Sequence, residues 1–187
     1  MNASIHPVPV IPPTWRYSPP AILIHWVQAL LLAVLAGLGW FMMSIEDEPG
    51  SDWYFGMHKS LGLLFIGLVV IRLLWRMTQL ASPTDDGFPA WQNLLSKGTQ
   101  VLMYLLMFLM PLSGMAGAAF SEEGIAFFGI ALPRWVAENH DTAEQFFDLH
   151  GAIVWALIAL IALHVAGALK HRFIDRDNVF QRMWFKG

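Results

Sequence analysis

The sequence predicts an all-α fold, a transmembrane four-helix bundle running up and down. Four stretches, Ala21–Met43, Met57–Trp75, Gln100–Ala119 and Gly151–Leu169, are almost free of charge and about long enough to cross a hydrocarbon core. In such a bundle successive helices run antiparallel. Basic residues gather at one end of such a bundle. Arg16, Arg72, Arg76, Lys97, Lys170, Arg172, Arg176, Arg182 and Lys186 fall on one side, leaving Lys59 and Arg134 for the other. The positive-inside rule then places both termini and the middle loop in the cytoplasm.

At 187 residues and 56% hydrophobic content the chain could be one globular domain or a small membrane protein, and its net charge of −3 conceals the asymmetry just described. The two loops opposite the basic end are acidic, with Glu46, Asp47, Glu48 and Asp52 in one and Glu122, Glu123, Glu138, Asp141, Glu144 and Asp148 in the other. Cysteine is absent, which excludes disulfides, iron–sulfur clusters and thiolate ligation within this chain. Nothing points to nucleic acid as a partner; the expected surroundings are membrane lipid.

Residues 1–19 read as a flexible cytoplasmic tail, proline-rich from Pro7 to Pro20 and containing His6. The first apolar segment is too long for a signal h-region, so it is expected to stay in the mature protein. Span one opens at Pro19-Pro20, residues suited to a first helical turn, and carries His25-Trp26 about a turn inside. Gly37, Gly39 and Trp40 finish it. The Ser44–Tyr54 loop follows, and span two begins with Met57-His58-Lys59-Ser60-Leu61-Gly62. Gly62 and Gly67 thin the His58 face, where a flat ligand could approach. Arg72 stands fourteen residues after His58, on the same face at the cytoplasmic depth.

Residues Met77–Ser96 are expected to form a loop. Span three has no histidine and thins to Ser113, Gly114, Ala116 and Gly117, with a kink expected at Pro111. The Phe120–Asp148 loop contains His140 and is long enough for a short amphipathic segment acting as a lid, although a solvated loop position is the simpler reading of His140. Span four carries His150 and His164, fourteen residues and roughly 21 Å apart on one helix face. The domain is expected over 20–175, followed by a cytoplasmic tail over 176–187.

Depth pairs these histidines. His25 and His164 lie near the cytoplasmic ends of spans one and four; His58 and His150 open spans two and four from the periplasmic side. Zinc would want a third or fourth protein ligand, which neither level supplies. Bis-histidine b-type haem needs two axial imidazoles, a flat apolar slot and basic groups for its propionates. Two haems fit these residues best; hydrogen-bonded core histidines and another metal or a proton relay are the alternatives.

The motifs Ile24-His25-Trp26, Met57-His58-Lys59-Ser60-Leu61-Gly62, Val70-Ile71-Arg72-Leu73-Leu74-Trp75-Arg76, Leu149-His150-Gly151 and Leu163-His164 through Lys170-His171, followed by Asp175-Arg176-Asp177-Asn178, together resemble the bacterial cytochrome b561 family. These are di-haem membrane cytochromes related in architecture to the b subunits of respiratory hydrogenases. The resemblance spans about Tyr17 to Met183. It departs from some relatives at Lys97-Gly98-Thr99, where they carry a histidine.

The resemblance implies His25 with His164 on a cytoplasmic-side haem, His58 with His150 on a periplasmic-side haem, and an inner-membrane location. It also implies a quinone-linked oxidoreductase in which superoxide is oxidised to dioxygen outside and ubiquinone is reduced near the inside. Lys59 is then a candidate to attract superoxide, or else pairs with Asp52 or a propionate. His171, two turns beyond His164, is a candidate hydrogen-bond or proton donor to the quinone. Arg72 is an intramembrane charge at the same depth, and propionate pairing is its alternative role. Two further readings are an electron-relaying anchor for a separate periplasmic protein and a histidine-lined metal transporter.

Overall fold

The computed structural model describes residues 16–79 and 89–185. Four helices dominate it: α1 Pro19–Ser44, α2 Ser51–Thr78, α3 Ala90–Phe120 and α4 His140–Lys170. Each is long and apolar enough to cross a membrane. His6 and the proline-rich stretch up to residue 15 lie outside the described residues, as do Pro83, Asp85, Asp86 and Gly87.

The helices outrun the apolar stretches that announce them. Ser18 is extended and Pro19 and Pro20 start α1, their fixed φ suiting a first turn that needs no N–H donors. The expected Ser44–Tyr54 loop shrinks to a tight turn because Gly50 takes φ +90°, a left-handed conformation that glycine adopts without steric cost, and α2 starts at once. Likewise α3 begins at Ala90, inside the expected Met77–Ser96 loop. It stays helical through Pro111. α4 begins at His140 under an Asn139 cap, whose side-chain oxygen accepts from the Thr142 N–H at 2.9 Å. Its 31 residues give about 46 Å of helix, so two or three turns stand clear of a 30 Å core.

Between α3 and α4, β1 Ala126–Phe127 pairs antiparallel with β2 Ile130–Ala131. Phe128 and Gly129 both have positive φ, 46° and 83°, the pattern of a tight hairpin turn. The Phe128 N–H donates to Ser60 Oγ at 2.8 Å, seating the hairpin on α2. Ser60 is two residues after His58, about 200° around the helix. The hairpin therefore sits behind His58 rather than over it, and the expected lid is a buttress.

The core is Leu35 from α1, Phe65 and Val69 from α2, Met107 and Met110 from α3, and Leu157 from α4. α1 packs on α2, α2 on α3 and α3 on α4; α4 approaches neither α1 nor α2 as closely. Gly117 sets the α3–α4 approach, since a Cβ there would lie 2.6 Å from the Phe147 ring. The wider space between α4 and the α1–α2 pair is crossed by side chains, including the Trp40–Trp155 edge contact at 5.5 Å. All four histidines of the paired set project into this region. Beyond α4, a π-helical turn, His171–Asp175, leads to a 3-10 turn, Phe180–Met183. This segment folds back on α1: Trp26 Nε1–H donates to the Met183 carbonyl at 2.8 Å and the Tyr17 N–H to the Arg182 carbonyl at 3.2 Å.

Candidate functional site: two facing histidine pairs

Antiparallel helices with matching fourteen-residue spacings bring partners to two levels. On α1 the spacing runs from His25 to Gly39, on α2 from His58 to Arg72, and on α4 from His150 to His164. One level lies at the end of the bundle that carries the chain termini and the other at the end that carries the hairpin.

At the hairpin end the His58 and His150 ring centroids are 6.2 Å apart with ring planes at 82°. The Met110 carbonyl can only accept, so His150 Nδ1–H donates to it, at 2.8 Å. Ser113 Oγ–H donates to the same carbonyl at 2.7 Å. Access is open because Gly114, one turn on, has no side chain; a Cβ there would lie 2.9 Å from His150 Nδ1. His58 uses α1 in a related way, its ring edge resting on Gly39, where a Cβ would lie 3.2 Å from Cε1. Its Nδ1 is buried without a hydrogen-bond partner. A neutral imidazole carrying its proton on Nδ1 leaves the Nε2 lone pair for a metal, and such outer partners fix the ring.

At the termini end the His25 and His164 centroids are 6.4 Å apart with planes at 68°. Arg72 joins them. Its Nη2–H donates to His25 Nδ1 and its Nη1–H to Gln28 Oε1, both at 2.9 Å, while the guanidinium lies 5.3 Å over the Tyr104 ring. Gln28 is 1% exposed, so the anchor of this charge is fully enclosed.

Both separations suit one metal between two axial imidazoles. Two metal–nitrogen bonds of about 2.0 Å, plus about 1.1 Å from each nitrogen to its ring centre, sum to about 6.2 Å. Among the described residues the only metal-suited group of three or more His, Cys, Asp or Glu side chains is His171, Asp175 and Asp177, none of which belongs to either pair. Neither pair thus gains a third protein ligand, which suits a porphyrin iron better than zinc. The hairpin-end pair fits directly. The termini-end pair fits once Arg72 gives up His25 Nδ1, because a ring that binds metal through Nε2 keeps its proton there.

The remaining candidates have definite partners. Lys59 Nζ meets Glu123 Oε2 at 2.5 Å, an acid on the α3–β1 connection, rather than Asp52. Arg134, the other cation at this end, donates to the Glu122 carbonyl. His140 is the exposed first residue of α4, 3.4 Å from Glu144. His171 lies just past α4, its Nδ1 2.7 Å from Asp177 Oδ2 and 3.3 Å from Asp175 Oδ2. Asp177 is held in turn by the Val179 N–H on its other oxygen. Sequence reasoning missed Gln28, the Met110 carbonyl and the contact roles of Gly39 and Gly114; the repeated fourteen-residue spacing from His25 was the signal for Gly39.

Comparison with known proteins identifies the family. The family model for prokaryotic cytochrome b561 matches residues 16–186. The chain is 30% identical to cytochrome b561 homolog 2 of Escherichia coli K12 over 175 residues, covering 90% of each chain. It is 27% identical to a probable superoxide oxidase of Yersinia pestis, covering 90% of this chain and 95% of that one. It is 21% identical to a probable Ni/Fe-hydrogenase B-type cytochrome subunit of Rhizobium leguminosarum, covering 89% and 85%. With four membrane-length helices and a match over nearly its whole length, the chain belongs to the prokaryotic cytochrome b561 family of multi-pass membrane proteins that transfer electrons on b-type haem.

Proposed function

We propose that the protein holds two b-type haems, one between His58 and His150 and one between His25 and His164, and oxidises superoxide at the hairpin end while reducing ubiquinone at the termini end. The observation that carries this is the pair of facing histidine couples, 6.2 and 6.4 Å between ring centres, separated by fourteen residues of α4. The haems would supply one-electron carriers through the bilayer. Each superoxide gives up one electron and leaves as dioxygen, so two supply the two electrons that, with two protons, convert ubiquinone to ubiquinol.

The chain's residues orient this chemistry. Met110 and Gly114 seat His150, and Arg72 offers a charge to a propionate. Lys59 would attract the anion at the hairpin end, and His171 would donate to a quinone carbonyl at the other. The excess of basic residues at the termini end supports an orientation with both termini in the cytoplasm of an inner membrane.

An oxidised and a dithionite-reduced spectrum with a pyridine haemochrome count tests the haems, two equivalents being expected and about one in His150→Ala. Stopped-flow mixing with superoxide tests the donor; no haem reduction above dismutation background sinks it. The hydrogenase-type relative and the acidic loops favour a second reading, an electron-relaying anchor for a basic periplasmic protein. Co-purification with such a partner, together with no quinone reduction, would support it.

A further inference from the structure

We infer that Arg72 makes the His25/His164 level the stronger electron acceptor of the two. The inference rests on the two-haem reading above and concerns what surrounds each histidine couple.

At the hairpin end the ring neighbours are electron-rich. His150 Nδ1–H donates to a peptide carbonyl, an arrangement that strengthens an imidazole as a donor to metal and so favours the oxidised iron. The nearby cations are already committed, Lys59 to Glu123 and Arg134 to the Glu122 carbonyl. Four further acids, Glu46, Asp47, Glu48 and Asp52, lie on the turn and first residues that join α1 to α2 at this end. At the termini end the neighbour is the guanidinium of Arg72. Its Nη2 lies 2.9 Å from a ring nitrogen of His25. The bond to Gln28 and the Tyr104 ring hold it at this depth even if the contact to Nδ1 is exchanged for a propionate. A half-buried charge anchored on the enclosed Gln28 acts across the lower dielectric of the bundle, where it stabilises an arriving electron. Both haems bring the same propionate charge, so that contribution cancels between levels and the protein's own asymmetry remains.

With haem held at both levels, one electron would pass from the His58/His150 level, which would be oxidised, to the His25/His164 level, which would be reduced. No proton or other reactant is needed. Equilibrium between the two levels would therefore favour the electron at the termini end.

Redox potentiometry of the purified two-haem protein tests this. His150→Ala, stripped of the hairpin-end haem, should keep the higher of the two wild-type potentials. Arg72→Gln should lower that higher potential by roughly a tenfold change in the equilibrium for accepting an electron, 59 mV for a one-electron couple, and leave the lower one in place. Arg72→Lys should recover most of the shift. If Arg72→Gln loses a haem, Gln28→Leu, which unfastens the guanidinium without removing it, should lower the same potential by less, and no shift there overturns the inference. The inference is overturned if His150→Ala keeps the lower potential, or if Arg72→Gln moves neither potential or both equally. A haemochrome count below two in the wild type would instead overturn the two-haem reading.

Discussion

The imidazole of His150 rests on the bare α-carbon of Gly114, close enough that a methyl group there would lie 2.9 Å from its Nδ1. Gly114→Ala must push the ring off the Met110 carbonyl. Lost outer-shell support of this kind typically costs 10- to 100-fold in metal affinity. The expected outcome is a haem count falling from two towards one on dilution or dialysis, with the termini-end haem retained. Gly39→Ala places its methyl 3.2 Å from His58 Cε1, so its effect should be in the same direction and smaller.

Lys59 is tied to Glu123, which makes its steering role testable in both directions. Glu123→Gln frees the cation and should raise the rate of haem reduction by superoxide severalfold at low ionic strength; Lys59→Gln should lower it. The gap between the two should narrow as salt shortens the screening length to about 8 Å at 0.15 M. Equal rates in stopped-flow at low salt would remove Lys59 from the mechanism.

Asp177 holds His171 by Nδ1 and is itself pinned by the Val179 N–H. Asp177→Asn weakens the orienting bond while keeping the shape. If His171 serves the quinone, kcat for quinone reduction should fall roughly tenfold, within the range expected for a misdirected acid, with KM less affected and haem content unchanged. A wholly unaltered kcat would leave the pair as a helix-end clasp.

Phe65 is fully buried at the centre of the bundle. In a water-soluble core Phe→Ala costs about 3–5 kcal/mol. The cost here should be lower, because lipid offers the ring an apolar alternative and the packing contribution remains. A reduced melting temperature of the purified holoprotein, with the spectrum intact before melting, is the expected result.

The four spans and the levels of His25, His58, His150 and His164 are legible in the sequence because apolar length and helical period depend on residue identity. What supports the rings is less legible. The Met110 carbonyl that receives His150 has no residue signature, since every residue but its neighbours' geometry offers the same oxygen. Gly39 and Gly114 look like generic thinning until the antiparallel pairing is known. The helix ends at Ser51, Ala90 and His140 were hidden because backbone hydrogen bonding propagates into polar sequence once an apolar segment has nucleated it. The hairpin at 126–131 is two residues per strand, too short for alternation to show. Glu123 was visible as an acid, and only the fold of its loop brings it to Lys59.

Trp26, next to His25, is fastened by the carbonyl of Met183 and edge-packed by Trp184 at 5.4 Å. During synthesis the first span thus waits for its last neighbour until residue 184 has left the ribosome and translocon. The termini-end couple is consequently closed by a segment made after both of its histidines, and loosening that segment should disturb this level before the other.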